Sequence, residues 1–349
     1  MTTTPLKKPL KILYAIQGTG NGHVARAREI IPVLQEFGQV DVVLSGDQSN
    51  VELPCAIKYR SKGLTFIYDK GGGVSYMKTL FKNNLFKIFQ EIRSFPVQDY
   101  DVVINDFEFI TAWACKMRKI NCIGMGHQAS FRSEKTPRPK RRQWLGELIL
   151  KNYAPCTRAI GFHFDHFDTF IQRPVIRGEI RRAVISNLGH YTVYLPAYGD
   201  ERIHRYLSQI TDKEWQVFSK FTREPYQLDN VCFRPISNSD FIESFTSCEG
   251  ILTSAGFETP AEAIFMGKKV FVIPIKRQYE QFCNAEAMRS MGLPIAKTLN
   301  DQALLQIKDW VKYHKPLSID YPDTTRQLIA DEIFAQLEKE EIILPISRL

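Results

Sequence analysis

Two segments of this 349-residue chain combine glycines with ionisable side chains at spacings that can do chemistry. The first is Gly18-Thr19-Gly20-Asn21-Gly22-His23. Glycines let a backbone approach a ligand closely, and the free N–H groups at the start of a following helix favour anions. Without a ligand, the same segment reads as a tight turn with a helix-capping histidine. Its spacing is G-x-G-x-G-H rather than G-x-G-x-x-G, and no acidic residue closes a second strand, which argues against a dinucleotide. The second segment runs over 251–274 and continues through Gln278, Glu280, Gln281 and Asn284. A strand ending in Thr253-Ser254-Ala255-Gly256 and a helix beginning at Pro260 present backbone donors suited to a diphosphate. Glu262 stands one turn into that helix, within reach of a sugar hydroxyl pair. Thr259 and Glu262, with Pro260 at the first helical position, also read as a capping box. Thr259 can then cap while the Glu262 carboxylate remains for a ribose.

Three further strand ends carry ionisable groups: His23, Asp106 with Glu108, and His127. A histidine oriented by a carboxylate is a workable general base, because the acid fixes its tautomer and stabilises the imidazolium. Asp106 reads equally as the cap of the helix that follows. Asp99-Tyr100-Asp101 matches a D-x-D metal pattern but opens its strand, away from the ligand edge. His163, Asp165, His166 and Asp168 have metal-type side chains, yet interleaved phenylalanines point to packing. No metal site and no cofactor is assigned. Arg177, Arg181 and Arg182 can pair with phosphates across a cleft, or simply with carboxylates.

These groups need a frame. Lys11 to Gln17, Val40 to Ser45, Asp101 to Asn105 and Cys122 to Gly126 are apolar, β-rich runs, with helical spacing over 23–37 and 109–118. Buried strands alternating with helices predict a parallel sheet covered on both faces. The pattern returns at 191–196, 215–219, 250–253 and 270–274, with helices near 200–209, 260–266 and 281–291. The fold class expected is α/β, two Rossmann-like doubly wound parallel-sheet domains facing a cleft. Residues 1–175 are expected to form the first domain, 176–322 the second, and 323–349 a terminal helix able to pack back on the first. In such sheets ligands bind beyond the carboxyl ends of the strands, where the residues above lie. Forty-four per cent hydrophobic and 24% charged residues describe a folded globular chain, and no run suffices for a membrane span. Seven scattered cysteines without a C-x-x-C pair fit reduced thiols, and the compartment expected is cytoplasmic. The net charge of +8 attracts anionic partners of any kind.

The pattern S-A-G-F-E-T-x-x-E-A-x-x-x-G-K from Ser254, with the downstream E-Q-x-x-N-A from Glu280, resembles the donor half of GT-B glycosyltransferases. It is most similar to the lipid-intermediate N-acetylglucosaminyltransferases of family 28. The Gly18 to His23 loop is similar to that family's glycine loop. Together with V-V-I-N-D-F-E and I-G-M-G-H-Q, the chain resembles a bacterial and archaeal group of GT-B proteins. The likeness covers about Lys11 to Gly292 and implies that residues 1–175 are the acceptor-binding domain and 176–322 the nucleotide-sugar-binding domain. It implies that Ser254, Ala255 and Gly256 meet the donor diphosphate, Glu262 the ribose, and Glu280 with Gln281 the transferred sugar. It places Ile236, after Phe233-Arg234-Pro235, at the nucleobase, Thr253 beside the diphosphate, and His23 with Asp106 at the reacting centre. Gly18, Gly20, Gly22, His127 and Arg177 would line the acceptor and phosphate side. Glu280-Gln281 departs from the Gln-Gln of family 28.

The function expected is transfer of a hexose or N-acetylhexosamine from a nucleotide-diphosphate sugar, UDP foremost, to a hydroxyl acceptor, inverting and metal-independent. The alternatives are a nucleotide-sugar epimerase using Asp106, Glu108 and His127, or a non-catalytic nucleotide-sugar-binding protein. The partners expected are a nucleotide-sugar donor and a glycan or lipid-linked acceptor in cell-envelope glycan synthesis. Nucleic acid is not expected: the basic run Lys135 to Arg142 holds Pro137 and Pro139 and lacks interleaved stacking aromatics. Between Tyr76 and Phe95, apolar residues at helical spacing with interspersed Lys and Arg, preceded by Gly71-Gly72-Gly73, form a stripe. It suits either the domain core or an anionic membrane surface at the inner face of the cell membrane.

Overall fold

A computed structural model of the chain describes residues 9–19, 21–46, 53–63 and 84–339. Gly20, the Gly71 to Gly73 loop and the Tyr76 to Asn83 part of the apolar stripe lie outside the described residues.

The first sheet has seven parallel strands in the order β3-β2-β1-β4-β5-β6-β7. They are β1 (Leu10–Gln17), β2 (Gly38–Ser45), β3 (Ile57–Ser61), β4 (Val102–Asp106), β5 (Ile123–Gly126), β6 (Arg158–Phe162) and β7 (Ile171–Gln172). Alternate residues of β1 serve opposite faces, as a two-residue repeat requires. Ile12, Tyr14 and Ile16 join the cluster beneath helix α1 (Asn21–Gln35), while Leu13 and Ala15 join that of α2 (Leu85–Ser94) and α3 (Phe109–Arg118). The order reverses between β1 and β4, where Ile16 pairs with Asp106. That reversal opens a crevice at the strands' carboxyl ends. After β5, a 3-10 turn over Gln128–Arg132 leads toward α4 (Trp144–Asn152), and α5 (Gly178–Arg181) begins the second half.

The second sheet has the order β10-β11-β9-β8-β12-β13, parallel except for β10. Its strands are β8 (Tyr191–Tyr194), β9 (Trp215–Ser219), β10 (Tyr226–Leu228), β11 (Val231–Pro235), β12 (Gly250–Thr253) and β13 (Lys269–Val272). Helices α6 (Asp200–Leu207) and α10 (Asp301–Tyr313) cover one face. Helices α7 (Asn238–Ser247), α8 (Glu258–Phe265) and α9 (Tyr279–Ser290) cover the other. The order reverses between β8 and β12, so the second crevice opens beside Thr253. The antiparallel edge strand β10 is a departure from the all-parallel expectation.

One buried cluster runs from α1 and β1 across to α8, β13 and α9, joining the two sheets. Helix α11 (Thr325–Lys339) adds Ile329, Ile333 and Leu337 to it, and Arg326 and Glu332 of α11 pair with Glu36 and Arg158 of the first sheet's layer. Truncating Ile333, which is fully buried, to alanine should lower the unfolding free energy by about 2–5 kcal/mol. Urea titration of the full chain checks this; an unchanged midpoint would show that α11 does not seal the core.

Candidate functional site

At the β1–β4 crevice, His23 on α1 and Asp106 at the end of β4 meet. The His23 Nδ1 lies 2.8 Å from Asp106 Oδ1, with Asp106 fully buried and His23 11% exposed. An acceptor at Nδ1 leaves Nε2 free to exchange a proton. Arg26, one turn along α1, donates to the same carboxylate: Nε to Oδ2 at 3.0 Å, and Nη2 to Oδ1 and Oδ2 at 2.8 Å. Burial alone would raise the Asp106 carboxyl, but the Arg26 guanidinium and then His23 outweigh it and hold it below its ordinary value. Gly126 at the end of β5 makes room, since a Cβ there would fall 2.3 Å from Asp106 Oδ1. Beside His23, Phe107 takes a left-handed φ of 57° and sets its ring parallel to the imidazole, 6.4 Å between centroids. Such a conformation is strained for a bulky residue and concentrates at functional sites.

Facing this group across the cleft is the turn between β12 and α8. Thr253, Ser254 and Ala255 are buried, Gly256 is half-buried, and the turn leads into the N-terminus of α8. Free N–H groups and the helix dipole make such a turn an anion seat. Glu258, the first residue of α8, reaches across to accept a hydrogen bond from Arg26 Nη1. The buried carboxylate of the first sheet and the β12–α8 turn of the second are therefore joined through one guanidinium.

A family model described as Glycosyl transferase family 1 matches residues 10–314. The chain belongs to that family. It is a glycosyltransferase of GT-B architecture, two facing α/β domains. Among solved structures it resembles UGT89C1 of Arabidopsis thaliana complexed with UDP-L-rhamnose, at 11% identity and TM-score 0.60, covering 97% of this chain and 100% of that one. It also resembles the glycotransferase of kitacinnamycin, at 12% identity and TM-score 0.56, covering 97% and 100%. The glycosyltransferase SnogD from Streptomyces nogalater follows at 15% identity and TM-score 0.50, covering 93% and 99%. At such identities the likeness is one of fold. No curated protein sequence matches this chain.

Within this glycosyltransferase the remaining expected residues divide. Gly18 and Gly22 line the first crevice; a Cβ on Gly22 would meet Glu258 Oε2 at 2.7 Å. Glu262 is fully buried, and Arg177 holds both its oxygens, Nε to Oε1 at 2.6 Å and Nη2 to Oε2 at 2.8 Å. Burial raises its carboxyl above the ordinary range despite Arg177. The expected capping box does not form, because α8 starts at Glu258, a residue before Thr259. Asp106 is likewise not a cap. Glu108 caps α3 instead, accepting from Ile110 and Thr111 backbone N–H at 2.8 and 2.7 Å and from Ser45 Oγ at 2.6 Å. These bonds engage both oxygens of the fully buried Glu108 carboxylate.

His127 is buried at the seam between the domains, with Nδ1 2.8 Å from the Phe162 carbonyl and Nε2 2.8 Å from Asn284 Oδ1. Its ring stacks on Phe257 at 4.0 Å, and burial lowers its proton affinity. Glu280 accepts from Gln128 Nε2 at 3.1 Å, and Gln281 accepts from the Ile275 N–H at 2.9 Å. Ile236 is exposed just past β11. Asp101 accepts from the Lys11 backbone N–H at 2.8 Å, at the strand starts and far from either crevice. His163 is buried among Phe131, Phe164, Phe167 and Phe257. Among the described residues, no three His, Cys, Asp or Glu side chains are grouped to hold a metal ion.

Sequence reasoning missed Arg26 and Glu258. The signal was an arginine three residues after His23, on a helix whose neighbouring positions Val24, Ala27 and Ile30 are apolar and buried. Because folding lowers the Asp106 pKa, its pairing contributes full stability above the ordinary carboxylate value of about 4 and loses it as pH falls through the lower folded value. Asp106→Asn should cost about 3 kcal/mol near neutral pH by leaving Arg26 underpaired. The gap from wild type should narrow in acid below about pH 4. Chemical denaturation across that range checks it; a constant gap would mean that Asp106 does not carry the charge.

Proposed function

We propose that this glycosyltransferase moves a hexose or N-acetylhexosamine from a UDP-sugar to a hydroxyl acceptor with inversion and without a metal ion. The observation that carries this reading is the His23–Asp106 pair, set opposite the Thr253 to Gly256 turn. His23 Nε2 takes the acceptor hydroxyl proton as its oxygen attacks the anomeric carbon. The bond to the diphosphate breaks on the opposite face, which inverts the centre. Asp106 fixes the tautomer and stabilises the imidazolium. Backbone N–H groups at Ser254 to Gly256 and the α8 dipole stabilise the departing nucleoside diphosphate. Glu262 takes the ribose once Arg177 yields, Ile236 flanks the base, and Glu280 with Gln281 face the transferred sugar. His127, Arg177 and the glycines at 18, 20 and 22 complete the acceptor and phosphate side. The two domains divide near residue 175, and the tail from 323 belongs with the first.

UDP should raise the melting temperature equally with and without EDTA. Saturating it a hundredfold over its dissociation constant corresponds to about 2.7 kcal/mol. Glu262→Gln should weaken that response, and His23→Ala should leave it intact while lowering transfer by about 100-fold or more. Unchanged UDP affinity in the first variant, or wild-type transfer in the second, would remove that residue from its role.

We further propose a peripheral, cytoplasmic-side encounter with an anionic membrane, serving a lipid-linked or glycan acceptor of the cell envelope. In α2, Ile88 and Ile92 pack on the core, whereas Leu85, Phe86 and Phe89 are 53%, 69% and 51% exposed. Of the basic run beyond it, Arg138 is tied to Glu147 and Arg142 to Glu134, leaving Lys140 and Arg141 exposed. No helix of the described residues is long and apolar enough to cross a membrane. Sedimentation with acidic vesicles should exceed that with neutral ones and fade with salt, each basic residue contributing about 1 kcal/mol. Equal absence from both pellets at low salt would favour an acceptor in solution.

A further inference from the structure

Arg26 is an unusual neighbour for a histidine that has to accept a proton. Its side chain is almost wholly buried, it binds both oxygens of Asp106 at 2.8–3.0 Å, and its Nη2 lies 3.2 Å from His23 Nδ1. The same guanidinium is claimed from the other domain by Glu258, whose carboxylate is 21% exposed. A buried carboxylate in contact with a histidine favours its protonated form; a guanidinium beside both, bound to the same carboxylate, opposes that charge. A second carboxylate on the guanidinium restores part of it.

We infer that Arg26 is a positioning residue of the transfer site, a cation shared between Asp106 and Glu258 that sets how readily His23 takes a proton. The inference rests on His23 as the base, but its electrostatics can be read without any acceptor. The groups facing His23 are Asp106 from β4 and Arg26 from α1, with Glu258 of α8 behind Arg26. Tyr14 from β1 and His127 beyond β5 both feel Arg26, and both are buried. Asp106 and Glu258 stand against one guanidinium. Losing Arg26 therefore removes the cation nearest the imidazole, and losing Glu258 removes an anion. The two changes must move His23 in opposite directions, which a purely structural role for Arg26 does not predict.

The test is an NMR titration of the imidazole signals in the full-length, ligand-free protein. His23 is identified among the seven histidines by the signal missing in His23→Ala. In Arg26→Gln the His23 midpoint should rise relative to wild type, because the nearby cation is lost. In Glu258→Gln it should fall, and in Arg26→Lys, which keeps the charge, it should stay near wild type. Midpoints that do not move, or that move in the same direction in the Gln variants, would overturn the inference. Should Arg26→Gln fail to fold, Glu258→Gln decides alone: a midpoint that falls supports the inference, and one that is unchanged or raised overturns it. The base assignment is judged separately, by release of UDP from a UDP-sugar in His23→Ala. Wild-type release there would sink the base while leaving the titration result standing.

Discussion

A carboxylate with no access to water must be paired, and in this protein the pairing of Asp106 organises everything around it. Its position at the end of β4 follows from the parallel register with β1, and the room it needs comes from Gly126 on β5. Arg26 and His23 reach it from successive turns of α1, a helix fixed by Val24, Ala27, Ile30 and Ile31 against the sheet. From Arg26 the constraint passes to Glu258 and so to the opposite domain. The proposed reacting centre is thus held by charge where two layers of apolar packing leave a crevice.

The same division of labour appears at the second crevice. Glu262 is as buried as Asp106 and is likewise held by an arginine, Arg177, from the segment joining the domains. Burial raises one carboxyl and leaves the other lowered, because Asp106 has His23 as well as its guanidinium, whereas Glu262 also faces the like charge of Glu258. Two acids of similar burial are therefore poised differently within one cleft. Hydrogen-bonded contacts between the domains, such as Tyr279 Oη to Glu147 Oε1 at 2.5 Å, keep that cleft's walls in place.

Much of the frame was legible because its strands are apolar runs ending in glycine or acid. β1, β4, β9 and β12 lie within a residue or two of where hydrophobic runs place them, and α3 runs over 109–118 as its spacing predicts. Strands with weak runs were not legible. β3, with alternating exposed Lys58 and Arg60, and β11, which carries Arg234 and Pro235, look like loops in isolation. Helix α10 carried a full signal, an Asn300 cap followed by Leu304, Ile307 and Val311, and was overlooked beside the stronger motif before it. The pairing of His23 with Asp106 was legible as two strand ends. Arg177 was legible as a junction arginine able to pair with carboxylates, but Glu262 as its partner was not, and Arg26 was not legible at all, because partner choice among buried charges is decided by tertiary distance.

Gly126 shows how a residue with no functional group can be as restricted as one that has several. Its α-hydrogen faces the carboxylate that orients His23, and the smallest side chain would occupy the space of a carboxylate oxygen. Position 126 is therefore closed to drift: alanine there is a change of one carbon that acts on a residue 20 positions away in the chain. Met125, one residue earlier, is buried in the apolar cluster and is open to apolar side chains of similar volume. Along this strand, tolerance to substitution alternates with the pleat, and the intolerant side is set by chemistry that belongs to its neighbour.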